Sequence, residues 1–571
     1  MSIDKKDDNF VVIEPAVSIS EGHSDDLYNL ASRVRTVRSH TGAGEVNYIN
    51  SVQSVSDNQL LAEIGYKPEL KRQFSTLQVF GIAFSIMGLL PSIASVMAGG
   101  LAGGPVSLVW GWFSSCIGIL IVGITMAENA SAIPTAGGMY YWTYYYAPKK
   151  YKAVLSFVVG CSNSLALVAS CCSINYGFAE EVMAAVFLTY DGAVTVTSGK
   201  LYGIFAGATV VMAMCTCVAS GAIARLQTVS IVSNIFIIIL FVIAVPIGTK
   251  ANIGHFNDGK YIFGHFENLS DWNNGFLFFL AGFMPAAWTI SSFDSCVHQS
   301  EEAKDAKKSV PIGIIGSITA CWILGFLIII CLCACMDTDL DRLVNSDTGF
   351  AMAQIIFDSL GKRWAIAFMA LIAFCQFLMG ASIVTAISRQ IWAFARDDGL
   401  PFSNLIKYVD KRYQVPFNSV IAAAITSLLL GLLCLINSQA TAALFSLSVA
   451  GGYIAYLIPT VLRLTVGRDV FRPGPFYLGK FWSPIVAWSS VVFEIWIILL
   501  EMFPAQQHHI DKSTMNYSCV IGPGTCLLAW IYYRVWKHRE YIGPKSNLSD
   551  EDYKEALGPA VLDDIIMGME P

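Results

Sequence analysis

Residues 73–127 are 55 consecutive residues without Asp, Glu, Lys or Arg, and residues 413–462 are another 50. A helix needs about 20 apolar residues to cross ~30 Å of hydrocarbon. Runs this long exceed what a soluble core requires, and each reads as two membrane helices in series. The glycine-rich "AGGLAGGP" at 98–105 divides the first run and "NSQAT" divides the second. Composition agrees: 14% of residues are charged, against about 25% in a soluble domain.

The same criterion places twelve spans. Their cores lie near 76–98, 106–127, 153–178, 201–222, 226–248, 275–293, 311–335, 364–387, 417–436, 440–462, 482–504 and 515–536. Segment 347–360 is too short to cross and reads as an interfacial or re-entrant amphipathic helix. Residues 1–74 are a hydrophilic tail without a signal-peptide core, and 538–571 form an acidic tail. With both termini in the cytosol, the inner loops hold 16 Lys and Arg and the outer loops 7. That asymmetry favours this orientation.

Several function classes lose support at this point. The fifteen cysteines fall almost all within spans, and "CLCAC" would spread its thiols around a helix with no His or carboxylate beside them. They read as small buried hydrophobes. The eight histidines read as tail, loop or span-end residues. No metal, cofactor or catalytic triad is expected, and no basic patch interleaved with aromatics suggests nucleic acid.

Polar groups within membrane helices are costly, so their positions carry information. Gly88 and Pro91 interrupt span 1 in "FSIMGLLPSIAS", and Pro285, Thr289, Ser291, Ser292 and Asp294 interrupt or end span 6. Each alone reads equally as a proline kink or a helix reaching the interface. Together they occupy the first member of two successive five-span sets, 75–249 and 275–462. Paired interruptions of this kind point to a transporter site near the midplane, and an odd number of spans per set makes the second set inverted. Spans within 482–537 are then peripheral. The expected fold is an all-α integral membrane protein of twelve helices, a 5+5 inverted repeat with broken helices 1 and 6, plus two peripheral helices.

"ENASAIPTAGGMYYW" (128–142) and "WTISSFDSCVHQSEEAKDAKKSVP" (288–311) resemble two signatures of the amino acid–polyamine–organocation superfamily. "GAGEVNYI", "QLLAEIGY", "LKRQFSTLQVFGIAFSIMGLLPSIASVM", "VASGAIARLQT" and "FRPGPFYLG" are similar to fungal GABA permeases of its amino acid/choline transporter branch, from about residue 41 onward. The resemblance implies alternating access and uptake of GABA or a related amino compound with protons, in the vacuolar or plasma membrane. A permease for choline, a polyamine or another amino acid, or a transporter-like sensor, is the alternative.

The resemblance also implies where the substrate binds. Its carboxylate is expected at the span 1 break, on Ser85, Ile86, Met87, Gly88 and Leu89. The span 6 side maps onto Phe283 through Ser292, with Phe283, Trp288, Thr289, Ser291 and Ser292 named, and Asn163 in span 3 as a further contact. Glu128, Asp294, Glu301 and Glu302 are gating or coupling candidates. The last two are expected near Lys304, Lys307 and Lys308 in a cytosolic charged turn. Glu180, Glu181, Glu494 and Glu501 are further protonatable groups. Asn268, in "NLS", is a glycosylation candidate.

Overall fold

Inside a bilayer no water satisfies the backbone, so an apolar run folds as a helix that bonds its own amides. The computed structural model describes residues 61, 64–217, 220–410, 414–436, 438–508 and 515–547. Most of both expected tails lies outside these residues. Two units are distinguished, one of 1–68 with 546–571 and one of 69–545. In the described part of the first, the Lys67 amide donates to Asn547 Oδ1 at 2.7 Å. All that follows concerns the second.

Among the described residues the second unit is helical apart from one isolated bridge, Phe74 to Ala303. The helices are α1 (Thr76–Met87), α2 (Leu89–Leu101), α3 (Gly104–Ala132), α4 (Met139–Tyr146), α5 (Lys152–Thr189), α6 (Ser198–Thr216) and α7 (Ser220–Asn252). There follow α8 (Gly259–Gly264), α9 (Asn274–Thr289), α10 (Ser295–His298), α11 (Ala306–Cys335), α12 (Leu340–Val344) and α13 (Ala351–Leu360). The chain ends with α14 (Lys362–Arg396), α15 (Ser403–Ile406), α16 (Phe417–Gly431), α17 (Ser438–Leu464), α18 (Gly479–Leu500) and α19 (Ser518–Val535).

Ten helical segments among the described residues are long and apolar enough to span a membrane. The twelve expected cores include two more: α9, with 16 residues, and α19, with 18. The outer faces are made for lipid. On α7, Val232, Phe236, Ile239, Ile243 and Ile247 recur at helical spacing and are all exposed. A continuous apolar stripe of this kind is unfavourable in water and at ease in hydrocarbon. The short segment near 347–360, expected as an interfacial or re-entrant amphipathic helix, forms α13, which buries Ala351, Met352, Ala353, Ile355 and Ile356 and leaves Phe357 exposed. It packs against α7 and α14.

Both interruptions are present. α1 stops at Met87, and Gly88 takes the left-handed conformation (φ 34°, ψ 63°) before α2 begins. Glycine has no Cβ to oppose that conformation. Pro91 lies in the first turn of α2, where its missing N–H breaks no helical bond. In span 6, α9 ends at Thr289, Ser292 sits at φ 60°, and α10 restarts at Ser295.

Close backbone approach brings α3 against α9. A Cβ on Gly111 would lie 2.3 Å from the Gly282 Cα, and one on Gly282 would lie 2.4 Å from the Ser107 carbonyl oxygen. Small residues allow such packing between membrane helices. Gly111→Val therefore forces the helices apart and destabilises the fold by more than the ~1–3 kcal/mol typical of overpacking, because backbone and not a flexible side chain is struck. Gly99→Val, which meets nothing within 4 Å, is the control. Thermal unfolding in detergent should fall for the first variant and stay put for the second.

Candidate functional site

A small polar cavity lies between α5, the 290–294 break and α17. Asn163, Ala166, Leu167 and Ser170 line it from α5, and Ser291, Ser292 and Asp294 from the break. Ser448, Gly452, Tyr453 and Tyr456 close it from α17. Its volume is about 10 Å³, close to the ~10–15 Å³ that one water needs. The walls must separate before a larger ligand enters.

Several polar atoms around it have no hydrogen-bond partner among the described residues: Asp294 Oδ1, Asn163 Oδ1, Thr289 Oγ1 and the Tyr453 hydroxyl. Buried polar groups are normally bonded, and such exceptions mark places where a ligand, water or ion belongs. His298 stands behind the cavity. Its Nε2 lies 3.0 Å from Asn163 Nδ2 and 3.3 Å from Asp294 Oδ2, and its Nδ1 lies 2.9 Å from the Ala136 carbonyl oxygen.

The expected substrate residues divide. Asn163, Ser291 and Ser292 line the cavity, and so does Asp294, which was expected to gate or couple. Ser85, Ile86, Met87, Gly88 and Leu89 are buried but do not line it. Met379 of α14 fills the space beside Gly88; a Cβ there would meet its sulfur at 2.7 Å. The Ser85 hydroxyl instead links α1 to Ser230 of α7 and, at 2.8 Å, to Ser382 of α14. Phe283 turns away, its ring against Phe279 and Phe493. Trp288 donates from Nε1 to Ser173 Oγ at 3.1 Å and lies against Phe445, beside the cavity but not in its wall. Thr289 is buried next to it and also stays out of the wall.

Lys304 and Lys308 of the charged turn are exposed, but its two glutamates are not. Glu301 and Glu302 are almost wholly buried, and their partners are arginines of α14 in place of the neighbouring lysines. Arg389 Nε donates to Glu302 Oε1 at 2.7 Å. Arg396 donates to both oxygens of Glu301, at 2.9 and 3.1 Å. The expected end of span 8 at 387 left both arginines in a loop. α14 continues to Arg396, and the two carboxylates are what let their charges enter the bundle. The same turn is stitched to the start of α1: the Phe74 amide donates to Glu302 O, and the Lys304 amide donates to Phe74 O.

Glu128 has a third arginine. Its Oε2 receives Arg463 of α17 and the Ser483 hydroxyl, and its Oε1 receives the Leu478 amide at 3.0 Å. At the same end the segment after α19 acts as a strap. Tyr541 is buried against Phe157 and Phe394, and Lys545 reaches Asp398 at 2.7 Å. Burial pushes the Asp398 carboxyl up, but Lys545 and Lys407 outweigh it and hold the group below its usual range. Its contribution is therefore present above the ordinary carboxylate pKa and is lost only as acid protonates it. Asn268 is exposed, and its side-chain amide already donates to Trp272 O and Asn274 Oδ1, both at 2.8 Å.

A broken helix beside a small polar cavity, with buried ion pairs nearby, is the arrangement expected of a transporter. The amino acid permease family profile matches residues 74–525. The chain belongs to the amino acid permease family. It is similar to the GABA-specific permease of Saccharomyces cerevisiae, at 69% identity over the whole of both chains. An uncharacterized amino-acid permease of Schizosaccharomyces pombe is 33% identical over 87% of this permease and 90% of its own length. A Candida albicans protein named as a candidate polyamine transporter is 31% identical over the same shares.

His298, Tyr453, Tyr456 and the three arginines of this permease were not anticipated. Two signals were available. His298 follows Asp294 at i, i+4, the spacing of one helix face. Arg389 is a lone charge deep in a helical run, and such a charge demands a partner.

Two expectations follow for this permease. Glu302→Gln strands Arg389 inside the bundle, and breaking one side of a buried pair costs about 3–5 kcal/mol; thermal unfolding of the purified variant should show a large loss. Gly88→Val should abolish uptake in protein that still reaches its membrane, because a β-branched residue opposes the left-handed conformation. Adding Met379→Ala supplies space but not the dihedral, so it should not restore uptake in a radiolabel assay.

Proposed function

We propose that this permease carries GABA and related small amino compounds, coupled to protons, by alternating access. The observation that carries the substrate is the full-length likeness, at 69% identity, to a protein named as a GABA-specific permease. The cavity suits an amino compound. Asp294 Oδ1 is an unpartnered carboxylate oxygen among hydroxyls and tyrosine rings. An ammonium takes such an acceptor, and aromatic faces support it.

The carboxylate end is served by the first-turn amides of α2. Leu89 and Leu90 carry no intrahelical bond there, and the helix N-terminus favours negative charge. Met379 has to withdraw for those amides to meet the cavity. Twelve spans in a 5+5 inverted repeat, with both termini in the cytosol, suit the paired breaks and the 16 to 7 excess of Lys and Arg in the inner loops. The membrane is the vacuolar or the plasma membrane.

The test is uptake of labelled GABA, putrescine, 5-aminolevulinate, choline and glutamate by cells lacking their own permeases. GABA should enter fastest, and a simple alkylamine, lacking the carboxylate, should compete poorly. Equal competition by the amine, or entry of putrescine without GABA, overturns the GABA reading.

A further inference from the structure

His298 is almost completely shielded from solvent, as are Asp294 and Asn163 beside it. Its Nδ1 faces a backbone carbonyl, that of Ala136. A carbonyl only accepts, so Nδ1 carries a hydrogen. In a neutral ring Nε2 is then a bare lone pair. That lone pair lies 3.3 Å from Asp294 Oδ2. With Asp294 ionised, lone pair would face lone pair without water between them.

One proton held between Nε2 and Oδ2 removes the conflict. It makes the two groups either an imidazolium and a carboxylate or a neutral ring and a carboxylic acid. Asn163 distinguishes the two states of the ring: as placed, its Nδ2–H at 3.0 Å satisfies a bare Nε2, whereas the turned-over amide fits a protonated one. As placed, its Oδ1 has no partner and its Nδ2 points at His298 Nε2. The two ends of an amide are assigned from the bonding network. Turned over, Asn163 would present Oδ1 at that distance, where only a protonated Nε2 can use it.

We propose that Asp294 and His298 form the proton-binding pair of this permease, loaded with one proton in the conformation seen here. This rests on the reading of the chain as a proton-coupled amino-compound transporter. The pair takes a proton from water on the side the site opens to, and returns it on the other side when the site reopens.

The pair touches both the cavity and the closed end. Asp294 offers Oδ1 to the cavity, so an arriving ammonium stabilises the carboxylate and draws the proton to His298. On the other side, the Ala136 carbonyl accepts from His298, and the Ala136 amide donates to Glu301 Oε1 at 3.1 Å. Glu301 is the partner of Arg396. One residue, Ala136, thus joins the proton site to the ion pair that holds the inner end shut, through the two peptide groups that flank its Cα.

The surroundings contain no competing free charge among the described residues. α17 presents the Tyr456 hydroxyl to Asp294, with Tyr453 behind it and Glu494 of α18 beyond. α5 presents neutral Asn163. α14 contributes Arg389 and Arg396, each already on a glutamate. α4 contributes Tyr140, bonded to Asp397. α1 carries no ionisable side chain, and the pair's own element adds the Cys296 thiol.

The experiment uses the full-length protein in liposomes enclosing a pH-sensitive dye. Substrate entry should acidify the lumen, and apparent affinity should change with external pH. The span expected for such coupling is about 5- to 150-fold. His298→Gln keeps an amide donor for Ala136 but cannot carry the proton. It should lose lumenal acidification and concentrative uptake, and its affinity should become flat with pH. Counterflow exchange of substrate should continue. Asp294→Asn should lose acidification and weaken substrate binding as well.

Wild-type acidification per substrate and a wild-type pH profile in His298→Gln would overturn the proposal. So would wild-type protein that concentrates its substrate with no proton entry, a result that needs no variant to fold. If putrescine is carried and GABA is not, only the substrate reading fails. The pair is then tested with putrescine, under the same two outcomes.

Discussion

The buried contact between Glu302 and Arg389, 2.7 Å long with neither side chain reaching solvent, is the constraint on which the closed end of the bundle depends. Removing an ion from water costs several kcal/mol, and only a partner with good geometry offsets it. Glu302 belongs to the turn between α10 and α11, and Arg389 belongs to α14. The same turn holds Arg396 through Glu301 and pairs its backbone with Phe74. Helices far apart in sequence are therefore fastened at one turn, just after the break that lines the cavity.

A buried ion pair is a poor source of net stability but a good latch. Mutating one partner strands the other in a low-dielectric site. Opening the inner end does something different, because water enters and rehydrates both charges together. The first change is severe, whereas the second exchanges one solvation for another. On the function proposed above, Glu301 and Glu302 would be intolerant of substitution and still separate in each transport cycle. The cavity has the reverse character. Its polar atoms are left unpartnered in the closed state, so a bound amino compound supplies bonds that the empty site lacks. A ligand shifts a conformational equilibrium only by such differences in affinity between states.

The membrane class and both helix breaks were legible in the sequence, because lipid imposes a length and a hydropathy that composition displays directly. Gly88 in the middle of an uncharged run could hardly read otherwise. The residues that assemble the site were less visible. Asn163, Ser291, Ser292 and Asp294 were anticipated and meet in one cavity, whereas Phe283 faces α18 and Trp288 is tied to Ser173. Which face of a broken helix points inward depends on how far the break rotates the chain, and no periodicity records that angle. Glu301 and Glu302 were expected to pair with the lysines that are their sequence neighbours. Their true partners lie about ninety residues away, across a contact that only the folded bundle creates.

The first break and the cavity are not yet one site in this conformation, and α14 explains how they can become one. Met379, which fills the space beside Gly88, and Arg389, which holds Glu302, lie ten residues apart on this one helix. Ten residues of α-helix span roughly 15 Å and about 2.8 turns, so the two side chains project about 80° apart around the axis. α14 is continuous from Lys362 to Arg396 and has no internal proline. A tilt that withdraws Met379 from Gly88 must also displace Arg389 relative to Glu302. On the function proposed above, exposure of the α2 amides to a carboxylate and separation of Arg389 from Glu302 would be two ends of one rigid-body movement. The helix needs no signal passed along a chain of side chains to keep them in step.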